Sequence, residues 1–122
     1  MKTKDSFESV RKFGLQLPGV EESTTFGKPS LKVRGKMFVC LPSHKSAEPD
    51  SLVVRTDFEQ RAGLLVEDPE TYYITDHYKG YPAVLVRLAR VKQDVLRDLL
   101  GMAYRFVAGE ATKKRKQGSS RS

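Results

Sequence analysis

Two strand–turn–strand patterns constrain the fold of this 122-residue chain more than any other feature. Apolar and charged residues alternate over residues 31–34, Gly35 can form a tight turn, and residues 37–41 are apolar again. Residues 72–75 and 83–88 form a second such pair around a glycine-containing connection. Strands joined by hairpins run antiparallel, so the sequence predicts an antiparallel sheet.

The sequence predicts two further strands for this sheet and one long loop between them. Residues 24–27 favour a short strand before the first hairpin, and residues 51–55 favour a third main strand. Between them, residues 42–50 are rich in Pro, Ser and charged side chains and show no periodicity, which is typical of a loop.

Two helices have recognisable start signals. Asp5 or Ser6 can cap a first helix, whose apolar residues recur at three- and four-residue steps until Pro18 ends it. A capping-box pattern at Asp57 predicts a short second helix that ends near Glu67.

The last helix and the C-terminal tail differ sharply in composition. Residues 94–107 place apolar side chains on one helical face, and Gly109 favours a stop. Residues 113–122 contain no apolar side chain and cannot offset the entropy of ordering. We therefore expect one domain over residues 1–108 and a disordered basic tail over residues 109–122.

These elements predict a two-layer α+β fold in the order helix, strands, helix, strands, helix. The antiparallel sheet should carry its helices on one face, because each element has a single apolar side to bury. The predicted core comprises Val10, Phe13, Leu17, Val33, Phe38, Val54, Leu65, Val84, Val86, Leu96, Leu99, Ala103 and Phe106.

The motifs of common enzymes and metal proteins are absent from the sequence. Cys40 is the single cysteine and lies in an apolar run, where core packing is favoured. His44 and His77 lack metal-ligand spacing, and no glycine-rich phosphate motif is present. We predict no catalytic residues, metal or cofactor, and therefore a non-enzymatic protein. Without a signal-peptide pattern or a long apolar segment, a cytoplasmic location is expected.

An aromatic and basic cluster offers one candidate binding surface. Four of the five tyrosines, together with His77 and Lys79, fall within residues 72–81. Aromatic rings can stack on bases while lysines neutralise phosphates. Alternatively, Tyr72 or Tyr73 packs on the sheet, and His77 is a loop side chain bonded to the backbone.

A basic row along the first hairpin offers a second candidate surface. Lys28, Lys32, Arg34 and Lys36 share one parity and are expected on the outer face if the neighbouring apolar residues point inward. Such a row can contact nucleic acid, or it can be the solvated side of a sheet.

The formal net charge of +7 is concentrated near the C-terminus, where residues 109–122 hold five basic side chains and one acidic. These basic residues could add nonspecific electrostatic contacts to a polyanion. The four that lie together are Lys113, Lys114, Arg115 and Lys116.

Several sequence segments together resemble the MmcQ/YjbR family. They are Leu17-Pro-Gly-Val-Glu-Glu, Thr25-Phe-Gly-Lys-Pro-Ser-Leu-Lys-Val, Gly35-Lys-Met-Phe, Asp68-Pro and His77-Tyr-Lys-Gly-Tyr-Pro-Ala-Val-Leu-Val-Arg-Leu. The resemblance covers about residues 6–108. It implies an α+β domain with an antiparallel sheet, related to secretion-chaperone-like and CyaY-like folds and described as a double-wing DNA-binding motif. Ser30-Leu31 departs from the small residue and aromatic that are usual there.

The resulting functional expectation is DNA binding, with the two hairpins as wings. Lys32, Arg34, Lys36 and Lys79 would contact phosphates, with His77 or Tyr78 nearer the groove. The alternatives are an adaptor that binds another protein, and a small-ligand binder around His77 and Tyr81. No membrane partner is expected, and the protein should be a monomer or a weak homodimer.

Overall fold

The computed structural model describes the backbone of residues 2–120 and the side chains of residues 7–109. Within these residues the chain forms three α-helices and six strands, with a short 3-10 turn at Asp76–Tyr78 between the last two strands. In chain order these are α1 (Lys2–Gly14), β1 (Val20–Thr25), β2 (Lys28–Val33), β3 (Lys36–Cys40), β4 (Ser51–Arg55), α2 (Phe58–Glu67), β5 (Tyr72–Tyr73), β6 (Ala83–Arg87) and α3 (Gln93–Ser120).

The six strands form one sheet in the order β1-β2-β3-β4-β6-β5, and every neighbouring pair is antiparallel. Both predicted hairpins, β2–β3 and β5–β6, are present. Arg34 and Gly35 form the first turn with φ values of 54° and 78°, the left-handed backbone that a two-residue hairpin loop needs. Val33 therefore pairs with Lys36 across the turn.

The main core lies between the sheet and helices α1 and α3, which confirms the predicted α+β architecture. Of the predicted core residues, four are only partly buried: Phe13, Leu17, Leu65 and Phe106. The others are buried in this core together with further residues that include Phe7, Leu31, Val39, Leu52, Tyr72, Val91, Leu100 and Val107.

Two boundaries of α1 differ from the prediction. The helix begins at Lys2, before Asp5 and Ser6, and it ends at Gly14. A Cβ on Gly14 would overlap Leu31 Cδ1, so a larger residue at this position would require the buried Leu31 side chain to shift. Residues 15–19 then form turns rather than a last helical turn.

The other two helices show one confirmed and one wrong boundary. Asp57 caps α2, and its Oδ1 accepts from the Gln60 amide at 2.7 Å. Helix α3 continues past the predicted stop at Gly109 to Ser120. An interior glycine permits this, since it costs a helix only about 1 kcal/mol. The side chains of residues 110–122 lie outside the described residues, so the disordered tail stays a prediction.

No helix within the described part of the chain is long and apolar enough to cross a membrane.

Candidate functional site

The second face of the sheet carries a smaller apolar cluster that no helix of the core covers. Cys40, Val53, Leu85 and Tyr73 are successive cross-strand partners from β3 to β5 and share this face. Cys40, Val53 and Leu85 are buried together with Tyr78 and Ala83. Because the helices occupy the other side, two loops provide the cover here, residues 41–50 and residues 74–82.

A cavity of ≈ 410 Å³ lies between this cluster and the two loops, and we call it the open-face pocket. Its floor is formed by Met37, Cys40 and Val53. Its walls and rim are formed by Thr25, Phe26, Leu41, Pro42, Ser43, His77, Tyr78 and Tyr81. Most of these side chains are apolar or aromatic, and none is a carboxylate.

Arg61 of α2 holds the loop that forms one wall of the pocket. Its guanidinium donates to the carbonyl oxygens of four residues, at 3.3, 3.0, 3.2 and 2.9 Å, and its side chain lies over the Phe58 ring. The four acceptors are Tyr78, Tyr81, Ala83 and Lys79. The residue is only 9% exposed. One planar cation therefore fixes the path of residues 78–83.

Sequence reasoning did not single out Arg61. The available signal was its phase: Arg61 precedes Leu64 and Leu65 by three and four residues and so shares the inward face of α2. A charged side chain at an inward position requires polar partners, and here they are backbone carbonyls.

A pair of histidines ties the two covering loops together. The rings of His44 and His77 stack with centroids 3.6 Å apart and planes inclined by 9°. The Ser46 amide donates to His44 Nδ1 at 3.1 Å, and the Ser46 and Thr75 hydroxyls are 2.8 Å apart. Burial and the neighbouring His77 lower the pKa of His44, so this environment favours the neutral form of the His44 ring.

A second tie fixes the 41–50 loop at its other end. Arg87 makes a two-pronged ion pair with Glu48, with both N–O distances 2.8 Å, and the hydrogen bond lowers the pKa of the Glu48 carboxyl. The Tyr73 hydroxyl accepts from the Glu48 amide at 2.8 Å and lies 2.6 Å from Ser51 Oγ. Tyr73 therefore packs on the pocket face of the sheet, while Tyr72 is buried in the main core. This agrees with the alternative in which Tyr72 or Tyr73 packs on the sheet.

The two titratable groups deep in the pocket are poor nucleophiles. Burial raises the pKa of the Cys40 thiol to about 12, so the thiolate is scarce near neutral pH. Burial also raises the pKa of the Tyr78 phenol. Cys40 therefore acts as an apolar floor residue, in agreement with the sequence interpretation.

Two buried hydroxyls near the pocket lack a partner. Thr25 Oγ1 and Ser30 Oγ are shielded from solvent and have no hydrogen-bond partner among the described residues. Thr25 lines the pocket, and Ser30 is the cross-strand partner of Cys40 in its floor. An unpaired buried hydroxyl costs free energy, so a polar group of a ligand could satisfy it.

The predicted aromatic and basic loop is only partly exposed. His77 and Lys79 are exposed, but Tyr78 retains 8% of its accessible surface and faces Cys40. The 3-10 turn folds the Tyr78 ring inward, so His77 and Lys79 are the exposed side chains of this loop. The expectation that His77 or Tyr78 lies nearer a DNA groove stays a prediction. His77 stacks on His44 rather than bonding to the backbone.

The predicted basic row along the first hairpin is divided between two faces. Lys36 pairs with Val33 on the helix side, whereas Lys32 pairs with Met37 on the pocket side and lies opposite Glu21. Parity is not preserved through a two-residue turn, which is why the sequence prediction of one shared face is wrong. Arg34 is exposed in the turn itself. The tail residues Lys113, Lys114, Arg115 and Lys116 lie outside the described side chains.

Among the described residues, no group of three or more His, Cys, Asp or Glu side chains is placed to hold a metal ion. Within the described residues, the site is thus an apolar pocket with a ring-rich rim, one lining residue, Thr25, whose hydroxyl is unpaired, and walls fixed by polar side chains.

The fold and the pocket define a class of small α+β proteins in which a helix-backed antiparallel sheet presents a loop-covered second face. The chain belongs to the YjbR family, whose model matches residues 15–106. This confirms the resemblance found in the sequence.

Similar proteins support the family and the fold. Uncharacterised proteins of Mycobacterium tuberculosis and Mycobacterium bovis are 44% identical over 41 residues, a match that covers 34% of this chain and 32% of each relative. The match thus spans about a third of these curated relatives. The crystal structure of Deinococcus radiodurans protein DR2400, with family-model domain DUF419, superimposes with a TM-score of 0.72. It is 21% identical and covers 93% of this chain and 86% of that one.

Proposed function

We propose that this protein binds a small, largely apolar molecule in the open-face pocket. The observation that carries the proposal is a ≈ 410 Å³ apolar pocket whose wall is held in place by the buried guanidinium of Arg61. Ligand sites in proteins are typically apolar cavities of about 300–1,000 Å³ with a few directing polar groups. The pocket falls within that range.

The walls of the pocket support this proposal because they resist collapse. A gap over an apolar sheet face would ordinarily be closed by the loops above it, since unfilled space loses dispersion contacts. Here Arg61 fixes residues 78–83, and the His44–His77 stack fixes the spacing between the two loops. This arrangement preserves a space of ligand size.

A fragment screen by amide-detected NMR tests the proposal. Compounds that bind should shift together the amide signals of the lining residues, which apart from Pro42 are Thr25, Phe26, Met37, Cys40, Leu41, Ser43, Val53, His77, Tyr78 and Tyr81. Met37→Trp should occupy the floor and abolish the shifts, while Val66→Trp on an 83% exposed position of α2 should leave them unchanged. If Met37→Trp disturbs folding, Cys40→Met supplies a smaller blocking side chain. Shifts elsewhere, or none, would contradict the proposal.

DNA binding is a second candidate function, favoured by the geometry of the hairpin tip. Lys32 and Lys36 point to opposite sides of the β2–β3 hairpin, with Arg34 exposed at its turn. A wing that enters a groove meets phosphates on both sides, and side chains on both faces suit that contact better than a single row. The net charge of +7 adds nonspecific attraction.

The DNA-binding candidate is tested after deletion of residues 113–122, whose basic side chains could bind DNA by themselves. In the shortened protein, replacing Lys32, Arg34 and Lys36 with alanine should weaken binding to unrelated duplexes about equally. The slope of log affinity against log salt should also become less steep, by the amount that corresponds to the loss of up to about three phosphate contacts. Absence of DNA binding by the shortened parent at low salt would eliminate this candidate.

A further inference from the structure

Rings are concentrated around the mouth of the open-face pocket. Phe26, His77, Tyr78 and Tyr81 supply four of its eleven lining residues. Flat rings favour flat partners, because offset-stacked and edge-to-face contacts add to the gain from area burial. The lining therefore favours a planar ligand over a flexible aliphatic chain.

The position of Phe26 is energetically unfavourable, because its backbone is strained and its apolar ring is exposed to water, and no contact within the described part of the fold explains it. It occupies the β1–β2 turn with φ of 53°, a left-handed conformation that bulky residues rarely adopt. Its side chain is 86% exposed and has no ring contact among the described residues. Asparagine or glycine would suit this turn better and would leave no apolar ring in water. The ring instead lies on the pocket rim.

Two other rim rings are already held in position. The Arg55 guanidinium lies 5.0 Å from the centre of the Tyr81 ring, and Arg55 Nε donates to the Pro82 carbonyl at 3.0 Å. His77 is fixed by its stack on His44. Preset rings lower the entropy cost of binding, so Phe26 is the rim ring with most freedom to close on a ligand.

Resting on the function proposed above, we infer that the pocket takes a planar aromatic compound with one hydrogen-bonding substituent. The aromatic plane lies over the Cys40 and Val53 floor and contacts Phe26 and Tyr81 at the rim. The substituent bonds to Thr25 Oγ1, which is shielded and has no partner among the described residues, after a rotation of the Thr25 side chain turns this oxygen toward the pocket that the residue lines.

Three probes of one size separate the contributions of planarity and hydrogen bonding. 2-Naphthol is planar with a hydroxyl, 2-decalol is its saturated counterpart, and 2-methylnaphthalene is planar without the hydroxyl. In an NMR titration with pocket amides as the readout, 2-naphthol should bind about three- to tenfold more tightly than either of the others.

Two variants assign these contributions to residues. Phe26→Asn should weaken 2-naphthol binding about three- to tenfold without lowering the thermal midpoint, because asparagine suits the turn. Thr25→Val should weaken 2-naphthol but leave 2-methylnaphthalene unchanged, since valine keeps the shape and removes the hydroxyl. Val66→Asn, a matched change of an exposed apolar residue on α2, should alter neither affinity.

The results separate this inference from the proposed function. If 2-decalol binds the pocket as tightly as 2-naphthol and Phe26→Asn has no effect, the aromatic class is wrong while small-molecule binding stands. If no probe and no fragment shifts the pocket amides, both are wrong. Phe26→Asn could also bind more weakly because it is less stable. If its thermal midpoint falls enough to account for the weaker binding, Phe26 stabilises the fold and has no role in the ligand site.

Discussion

Replacing Arg61 with methionine should destabilise the protein and loosen one wall of the pocket. Methionine keeps much of the apolar stem against Phe58 but removes all four hydrogen bonds to backbone carbonyls. The acceptors at Tyr78 and Ala83 are in buried bonds, and each would lose its charged donor at about 1–3 kcal/mol. The other two acceptors are nearer the surface and regain water. Removal of a buried charge offsets part of the loss, so we expect a net cost of about 2–4 kcal/mol.

Equilibrium urea unfolding measures this cost, and amide hydrogen exchange shows where it falls. Arg90→Met is the matched control, because Arg90 is 60% exposed and its ion pair with Glu70 is 3.4 Å long. The control should change the free energy of unfolding by less than about 0.5 kcal/mol. Amides of residues 78–83 should exchange faster only in Arg61→Met. Equal costs for both variants, or unchanged exchange over residues 78–83, would refute the role assigned to Arg61.

Three further predictions concern the core, the histidine stack and the tail. Leu99→Ala should lower the free energy of urea unfolding by about 2–5 kcal/mol, because Leu99 is 4% exposed in the main core, and a near-neutral effect would contradict its placement there. The lowered pKa of His44 means that the folded state binds fewer protons, so stability should fall as the pH drops below the ordinary value of 6.5. His44→Phe keeps a stacked ring and should reduce the dependence of the unfolding free energy on pH in this range. An unchanged pH dependence would mean that another group causes it. Deletion of residues 113–122 should leave the thermal midpoint nearly unchanged, whereas a large drop would mean that the segment docks on the domain.

The elements that sequence predicted well are those fixed by local interactions. The Arg34–Gly35 turn and the Asp57 cap each depend on residues within one or two turns, and strand β4 was found at its predicted bounds. The apolar phase of α3 also identified its buried face. Local geometry is readable from sequence because each of these signals lies within a few residues.

The wrong prediction for the basic row depended on pairing between segments, unlike the wrong boundaries of α1 and α3. The basic row was counted along the chain, but its faces depend on which residues pair across the turn. Opposite Leu31 and Lys32 the register shifts, so that Phe38 is an extra residue in β3. Both Phe38 and Val39 are fully buried, which breaks the alternation of β3. Alternation within one strand carries no information about which residues pair across a turn or where an extra residue interrupts the pairing.

The candidate site was the least predictable part of the molecule. Tyr81 and His77 were named as the centre of a small-ligand alternative, and both line the pocket. Arg61, Phe26 and Thr25 were missed, because their roles arise from contacts between segments far apart in the sequence. A pocket formed by loops folding back on a sheet has no signature at any one position.

The two faces of the sheet differ in how their covers are held, and this difference is relevant to ligand entry. On the helix side, continuous apolar burial holds α1 and α3 against the sheet, so opening that side requires unfolding of the core. On the pocket side, the 41–50 loop is held largely by individual ties such as the His44–His77 stack and the Arg87–Glu48 ion pair. Neither tie belongs to the apolar core between the sheet and the helices. Under the proposed function, we therefore expect a ligand to enter on the 41–50 side, while the helix side preserves the fold.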